Sequence, residues 1–342
     1  MAMRSLTVLG PGRAEWREAP APRTREASDV LVRPIASAVC DLDRHLVREA
    51  PLEPPYALGH EAVGEVVEVG DAVGRLKPGD RVVIPCHVSC GECEECARSM
   101  PGACGAVPPF SAYGTPTGRS WGGLFDELVR VPWGERSLVP VPPGVDAVRA
   151  AACSDNLVDA YRAVGPTLSG DRDASVLIVG GTPTFGLLTV LVCKALGGTA
   201  VHYVDRDAHS VERATALGAA ATLIDSYAEP IPGRHDLTVD ASAHPRGLRR
   251  ALISTRPGGT CVSRSVFLTD PPLPYLEIYS SGVTFVTGPP HITPFAPEVL
   301  RLIDSETLDP TPLISGPHHY DEAPEVLLDP PAGKPVFVGD RR

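Results

Sequence analysis

No stretch of the sequence approaches the roughly 18 uninterrupted apolar residues that a membrane-spanning helix needs. The longest apolar neighbourhood, Phe185 to Cys193, is already broken by Thr189. Met1 to Gly10 lacks the apolar core of a secretory signal, so a cytoplasmic location is expected. Positive charge is short as well: 31 Lys plus Arg face 42 Asp plus Glu, a net of -11. That field repels phosphate backbones and anionic membrane surfaces, and neither nucleic acid nor a membrane is an expected partner. Internal repeats and low-complexity tracts are absent, so disorder, collagen and coiled coil fail as descriptions of the chain.

What remains is a folded, enzyme-like body. At about 150 residues per domain, 342 residues predict two domains. The first half carries short strand-like runs (Val30 to Arg33, Glu65 to Val69, Arg81 to Ile84, Leu128 to Val131) separated by Gly-Asp and Pro-Gly pairs, which predicts a mostly β domain. From about Ala150 apolar strands alternate with helical stretches: Ser175 to Val179, Leu187 to Leu196, Ala200 to Val204, Ser210 to Leu217, Leu237 to Val239, Gly247 to Ser254. Such alternation implies a parallel sheet with crossover helices. A helix over Ala296 to Ser305 and a last strand over Pro335 to Val338 follow.

Nine cysteines are an odd number, and four of them, Cys90, Cys93, Cys96 and Cys104, form C-x2-C-x2-C-x7-C on one short loop. Four thiolates so spaced can enclose a tetrahedral zinc and leave no position for substrate, so the site is expected to be structural. An iron-sulfur cluster is the alternative, less suited by the wide last gap and the lack of a following Pro. A second constellation is open. Cys40-Asp41-Leu42-Asp43-Arg44-His45 and, twenty residues on, Gly59-His60-Glu61 offer a thiolate, an imidazole and carboxylates. A Cys, a His and one more ligand leave the fourth zinc position to a water or an alcohol.

In the second half, Gly180-Gly181-Thr182-Pro183-Thr184-Phe185-Gly186 links a buried strand to a helix, where backbone amides and a helix N-terminus can meet a pyrophosphate. Asp205 ends the next strand, placed to accept from the adenosine ribose hydroxyls and to repel a 2'-phosphate. NAD is therefore expected in preference to NADP, with Arg206 next door weighing the other way.

Taken together, the chain resembles the zinc-containing medium-chain alcohol dehydrogenases. Gly59 to Val73 matches G-H-E-x2-G-x5-G-x2-V at every fixed position. The likeness continues through the four-cysteine loop, Lys77-Pro78-Gly79-Asp80-Arg81-Val82, Gly122-Gly123, the nucleotide turn and Lys334-Pro335. The resemblance implies an α/β fold: a β-rich GroES-like catalytic domain over 1–155, rejoined by 290–342, and a doubly wound Rossmann domain over 156–289. It makes Cys40 and His60 catalytic zinc ligands, Glu61 a carboxylate that can exchange onto the metal, and Asp43 the partner that orients the ligating His. For the third ligand it points to Asp155, six residues before Tyr161, with Cys153 or Glu61 as alternates. Gly181, Pro183, Thr184, Phe185, Gly186, Asp205 and Arg206 would contact the dinucleotide, and Lys334 would lie near its pyrophosphate.

The resemblance further implies two zincs per chain, a small alcohol or carbonyl substrate, and a homodimer or homotetramer. Two departures stand out. Pro183 replaces the middle glycine of the turn and removes an N-H. Leu42 stands where the family carries a hydroxyl that relays the proton, leaving Asp41, Glu61 or a water, with His45 as a candidate exit base. Phe110, Tyr113, Trp121 and His291 are candidates for the pocket lining. Leu42 keeps open a same-fold reductase of an activated C=C or C=N bond with no zinc in its chemistry, and Pro183 a non-catalytic, zinc-stapled binding protein.

Overall fold

Gly12, at φ +65°, turns strand β1 (Ala2–Gly10) back onto β2 (Arg13–Pro20), and β4 (Tyr56–Ala57) pairs with the other edge of β1. The computed structural model describes residues 2–117 and 120–339. The chain divides into two compact units. One runs through Val158 and resumes at Pro289, and the other is Asp159–Gly288.

The first unit adds β3 (Val30–Ala38), β5 (Glu61–Val69), β6 (Arg81–Ile84), β7 (Val129–Val131) and β8 (Val139–Pro140), and later β15 (Ile314–His319) and β16 (Lys334–Val338). These strands form a sheet in the order β15-β16-β3-β5-β6-β8, with β7 also on β3. Several strands run longer than the sequence predicts. Strands β1 and β2 are not among the predicted runs at all, because charged residues (Arg4 in β1; Arg13, Glu15, Arg17 and Glu18 in β2) dilute their apolar alternation. Two cores flank the strands. One gathers Leu6, Val39, Leu58, Phe125, Tyr320 and Phe337, with the Phe125 and Phe337 rings edge to face at 5.3 Å. Its members Val39 and Leu58 stand immediately before Cys40 and Gly59 in the chain, so the core anchors both segments that lead into the site.

The second unit holds β9 (Val176–Val179), β10 (Val201–Asp205), β11 (Ala220–Leu223), β12 (His235–Asp240), β13 (Thr255–Ser263) and β14 (Thr284–Val286). All pair in parallel in the order β11-β10-β9-β12-β13-β14, the doubly wound arrangement with its order reversing at β9. All four residues of β9 are buried, as a central parallel strand with helices on both faces requires. The crossover helices Phe185–Ala195, Ala208–Ala216 and Pro245–Ser254 fall where the alternation places them, within two residues at each end. No helix among the described residues is long and apolar enough to cross a membrane.

Candidate functional site

Cys40 is the N-cap of the helix Asp41–Glu49. Its backbone N-H donates to Asp43 Oδ2 at 2.9 Å, and its Sγ accepts from the Leu42 N-H at 3.4 Å. Asp41 and Asp43 in the first turn and Arg48 in the last suit the helix dipole, and Leu46 and Val47 anchor the inner face. The capping carboxylate also reaches the imidazole, with Asp43 Oδ1 lying 3.1 Å from His60 Nδ1. Both side chains are buried, so Asp43 holds the imidazole proton on Nδ1 and turns the Nε2 lone pair toward the other ligands.

His60 enters from a segment fixed by close backbone packing. The Leu124 N-H donates to Gly59 O at 2.7 Å, and a Cβ on Gly123 would sit 2.1 Å from Leu58 O. The third contributor comes from the chain just before the helix Asn156–Gly170. Ser154 is stitched to β5 through its hydroxyl, which accepts from Ala62 N and donates to Ala62 O, and the Cys86 N-H donates to Ser154 O. The result is a buried cluster. One ligand atom from each of Cys40, His60, Glu61 and Asp155 lies within 4.8 Å of the others. Cys153 is fully buried and is not a member of that cluster, whereas Asp155 and Glu61 both are.

Burial, with the charges of Asp155 and Glu61 adding to it, pushes the Cys40 thiol up to about 11. Burial also lifts Glu61 to about 7 against the pull of Lys334. Burial acts to raise Asp155, yet its hydrogen bond and charge interaction with His60 hold it below the ordinary carboxylate range. A thiol, an imidazole and two carboxylates crowded out of water form a donor set that a borderline cation such as zinc satisfies.

The Lys334 side chain is buried, and its three N-H groups go to Val39 O at 3.0 Å, Glu61 Oε1 at 2.9 Å and Asn156 Oδ1 at 2.9 Å. His45 is exposed on the helix that Cys40 caps and is not part of the cluster. Of the expected lining residues, Tyr113 is packed in the core with its hydroxyl on Arg130 O. Phe110 is exposed, Trp121 packs against that same core, and His291 Nδ1 accepts from the Gly102 N-H. Sequence reasoning passed over Ser154 and Asn156. Their only signal is their place in Cys153-Ser154-Asp155-Asn156, since small polar residues there serve equally well as helix caps.

On the four-cysteine loop the sulfurs also converge within 4.8 Å. Cys90 and Cys104 Sγ are 3.6 Å apart, Cys93 and Cys104 3.8 Å. A tetrahedron with zinc-sulfur bonds of about 2.3 Å has edges of about 3.8 Å. The Cys90 and Cys93 amides each donate to a sulfur of the set at 3.3 Å, which favours thiolates.

At the glycine turn, Gly181 has φ +148° and a Cβ there would meet Tyr227 Oη at 2.3 Å, so only glycine fits. Thr182 gives both its N-H and its hydroxyl to Ala241 O. Pro183 is exposed, while Thr184, Phe185 and Gly186 are buried as the helix begins. Asp205 ends β10, buried. Its oxygens accept from Tyr203 Oη and from the Arg206 and Asp207 amides, and burial raises it above its ordinary value. Arg206 stacks its guanidinium 4.7 Å from the Tyr227 ring centre.

Residues 26–143 match the family model described as the alcohol dehydrogenase GroES-like domain. The structure of the alcohol dehydrogenase TADH from Thermus sp. ATN1 superposes with a TM-score of 0.86 at 30% identity, covering 98% of this chain and 99% of that one. The chain belongs to the zinc-containing medium-chain dehydrogenase/reductase family. Among curated relatives, the L-threonine 3-dehydrogenase of Pyrococcus abyssi is 28% identical over 333 residues, 91% of each chain. The glutathione-independent formaldehyde dehydrogenase of Pseudomonas aeruginosa is 32% identical over 212 residues, 58% of this chain. That alignment spans about half of the Pseudomonas protein, 53% of its length.

Proposed function

We propose that this family member is a zinc-dependent oxidoreductase that moves a hydride between an alcohol or carbonyl substrate and NAD(H). One zinc is held by Cys40, His60 and Asp155 and a second, structural one by Cys90, Cys93, Cys96 and Cys104. The observation that carries the reading is the buried convergence of a thiol, an imidazole and a carboxylate on one point, with Asp43 fixing the imidazole. When bound, zinc supplies Lewis acidity that draws a hydroxyl pKa toward neutrality, and the dinucleotide supplies the hydride acceptor.

The chain's own residues do the remainder. Asp43 keeps the His60 Nε2 lone pair free for ligation. Lys334 holds Glu61 by both oxygens, at 2.8 and 2.9 Å, so this carboxylate does not fill the position a substrate needs. Leu42 gives its N-H to Cys40 and its side chain to the core, so proton release falls to Asp41, Glu61 or water. The glycine turn at Gly180 to Gly186 takes the dinucleotide, and the Asp205 charge favours NAD over NADP. The proposed assembly is a homodimer or homotetramer. It is supported by the outer strand β14 and the exposed Leu276 and Tyr279 just before it.

Metal counting tests the centre. Two zincs per chain are expected in the wild type and in Cys153→Ala, and one in Asp155→Ala, which also loses alcohol-dependent NAD reduction. Two zincs retained in both variants overturns the ligand set. Turnover that survives removal of the zinc at Cys40 moves the reading to a same-fold reductase of activated C=C or C=N bonds.

A further inference from the structure

The residue directly after Asp155 has no part in the proposed chemistry, yet its side chain is buried in the middle of the cluster. Asn156 Nδ2 donates to Cys40 Sγ at 3.3 Å and to Asp155 Oδ2 at 2.9 Å. Its Oδ1 accepts from Lys334 Nζ at 2.9 Å, and its backbone N-H points to Glu61 Oε1 at 3.4 Å. Every hydrogen of this carboxamide is used.

The orientation of the amide follows from chemistry. An ammonium can only donate, so the carbonyl end of Asn156 faces Lys334. The NH2 end is thereby turned to the sulfur and the carboxylate. A donor in that place fixes the directions in which the sulfur and the carboxylate present their lone pairs. Lys334 cannot swing away to release the amide, because its other two hydrogens are committed to Val39 O and Glu61. One buried cation thus does two things at once: it restrains the spare carboxylate, Glu61, and it aims the Asn156 donors at the two anionic ligands.

We propose that Asn156 is a positioning residue of the metal centre, its carboxamide locked by Lys334 so that its NH2 group orients the Cys40 sulfur and the Asp155 carboxylate. This rests on the reading of Cys40, His60 and Asp155 as a zinc site. Removing the donor leaves the sulfur a stronger electron donor and lets the Asp155 carboxylate rotate. Outer partners of this kind change metal affinity by about 10- to 100-fold.

The test uses full-length protein that keeps zinc on the four-cysteine loop while the other site carries zinc or, separately, cobalt(II), so that the thiolate charge-transfer band reports on Cys40. Asn156→Leu keeps the volume and deletes the hydrogen bonds, and Asn156→Ser is a smaller second variant. Both are expected to move the charge-transfer band to longer wavelength and to weaken zinc in chelator competition by about 10- to 100-fold. Asn156→Asp, which turns an acceptor on the sulfur, is expected to weaken it further, while the zinc of the four-cysteine loop stays in all three. Wild-type affinity and an unmoved band in the Leu and Ser variants would overturn the role of Asn156 while leaving the zinc site standing. A wild type that takes up only the four-cysteine ion would sink the zinc reading, and this inference with it.

Discussion

The substitution Asp43→Asn replaces one buried carboxylate oxygen by an NH2 group and alters almost no volume. Asp43 has two partners, the Cys40 N-H at 2.9 Å and His60 Nδ1 at 3.1 Å, and neither side of the carboxylate is exposed. If the amide keeps its oxygen on the Cys40 N-H, its NH2 faces Nδ1. The imidazole must then accept there and carry its proton on Nε2, which removes the ligating lone pair. If the amide flips, NH2 meets N-H and the helix cap is lost. In either case one hydrogen bond to a charged group goes, worth about 1.5–3 kcal/mol. At about 1.4 kcal/mol per decade this is a loss of roughly one to two orders of magnitude in zinc affinity, the usual range for such outer partners. Chelator competition at neutral pH, read against the unaffected four-cysteine zinc as internal reference, measures it. Wild-type zinc affinity in Asp43→Asn would refute the claim that this carboxylate sets the tautomer of His60.

Gly123→Ala would press a methyl group against the Leu58 carbonyl at 2.1 Å, shifting the segment that carries His60. Elemental analysis is expected to show one zinc per chain in place of two, and two zincs with unchanged melting would count against the packing argument. Asp29 is fully buried, accepts from the Arg25 and Glu26 amides and turns both oxygens to Arg130 Nη1. Asp29→Ala leaves that arginine without its counter-charge, and urea unfolding should show a loss of about 3–5 kcal/mol. A loss under about 1 kcal/mol would contradict it. His235 is held below its ordinary value of 6.5 by burial and by His202. The unfolded chain therefore takes up a proton that the folded one refuses, and stability is lost as pH falls from 6.5 toward the folded value, with no effect above it. His235→Gln should flatten that part of the stability-pH curve in urea titrations, and an equally steep curve in the variant would assign the loss to other groups.

Much of this protein is written locally. The four-cysteine loop is legible because a metal site on one short segment needs only its spacing. The parallel sheet is legible because strands buried on both faces must be apolar throughout, as Val176 to Val179 are. Cys40, Asp43, His60 and Asp155 are each visible as residue types apt for zinc, and the resemblance groups them. Their distances are not visible, since Cys40, His60 and Asp155 are brought to one point by β3, β5 and the strap from Ser154 to Ala62.

The tertiary structure alone decided where the long side chains go. Lys334 lies against Glu61, because a buried carboxylate and a buried ammonium each relieve the desolvation of the other. Asp205 turns its oxygens to Tyr203 and two amides for a related reason, the need of a buried acceptor for donors within reach. Residue type and spacing set which chemistry is available to this chain. Which donor meets which acceptor was settled only when folding removed the water that would otherwise have served them all.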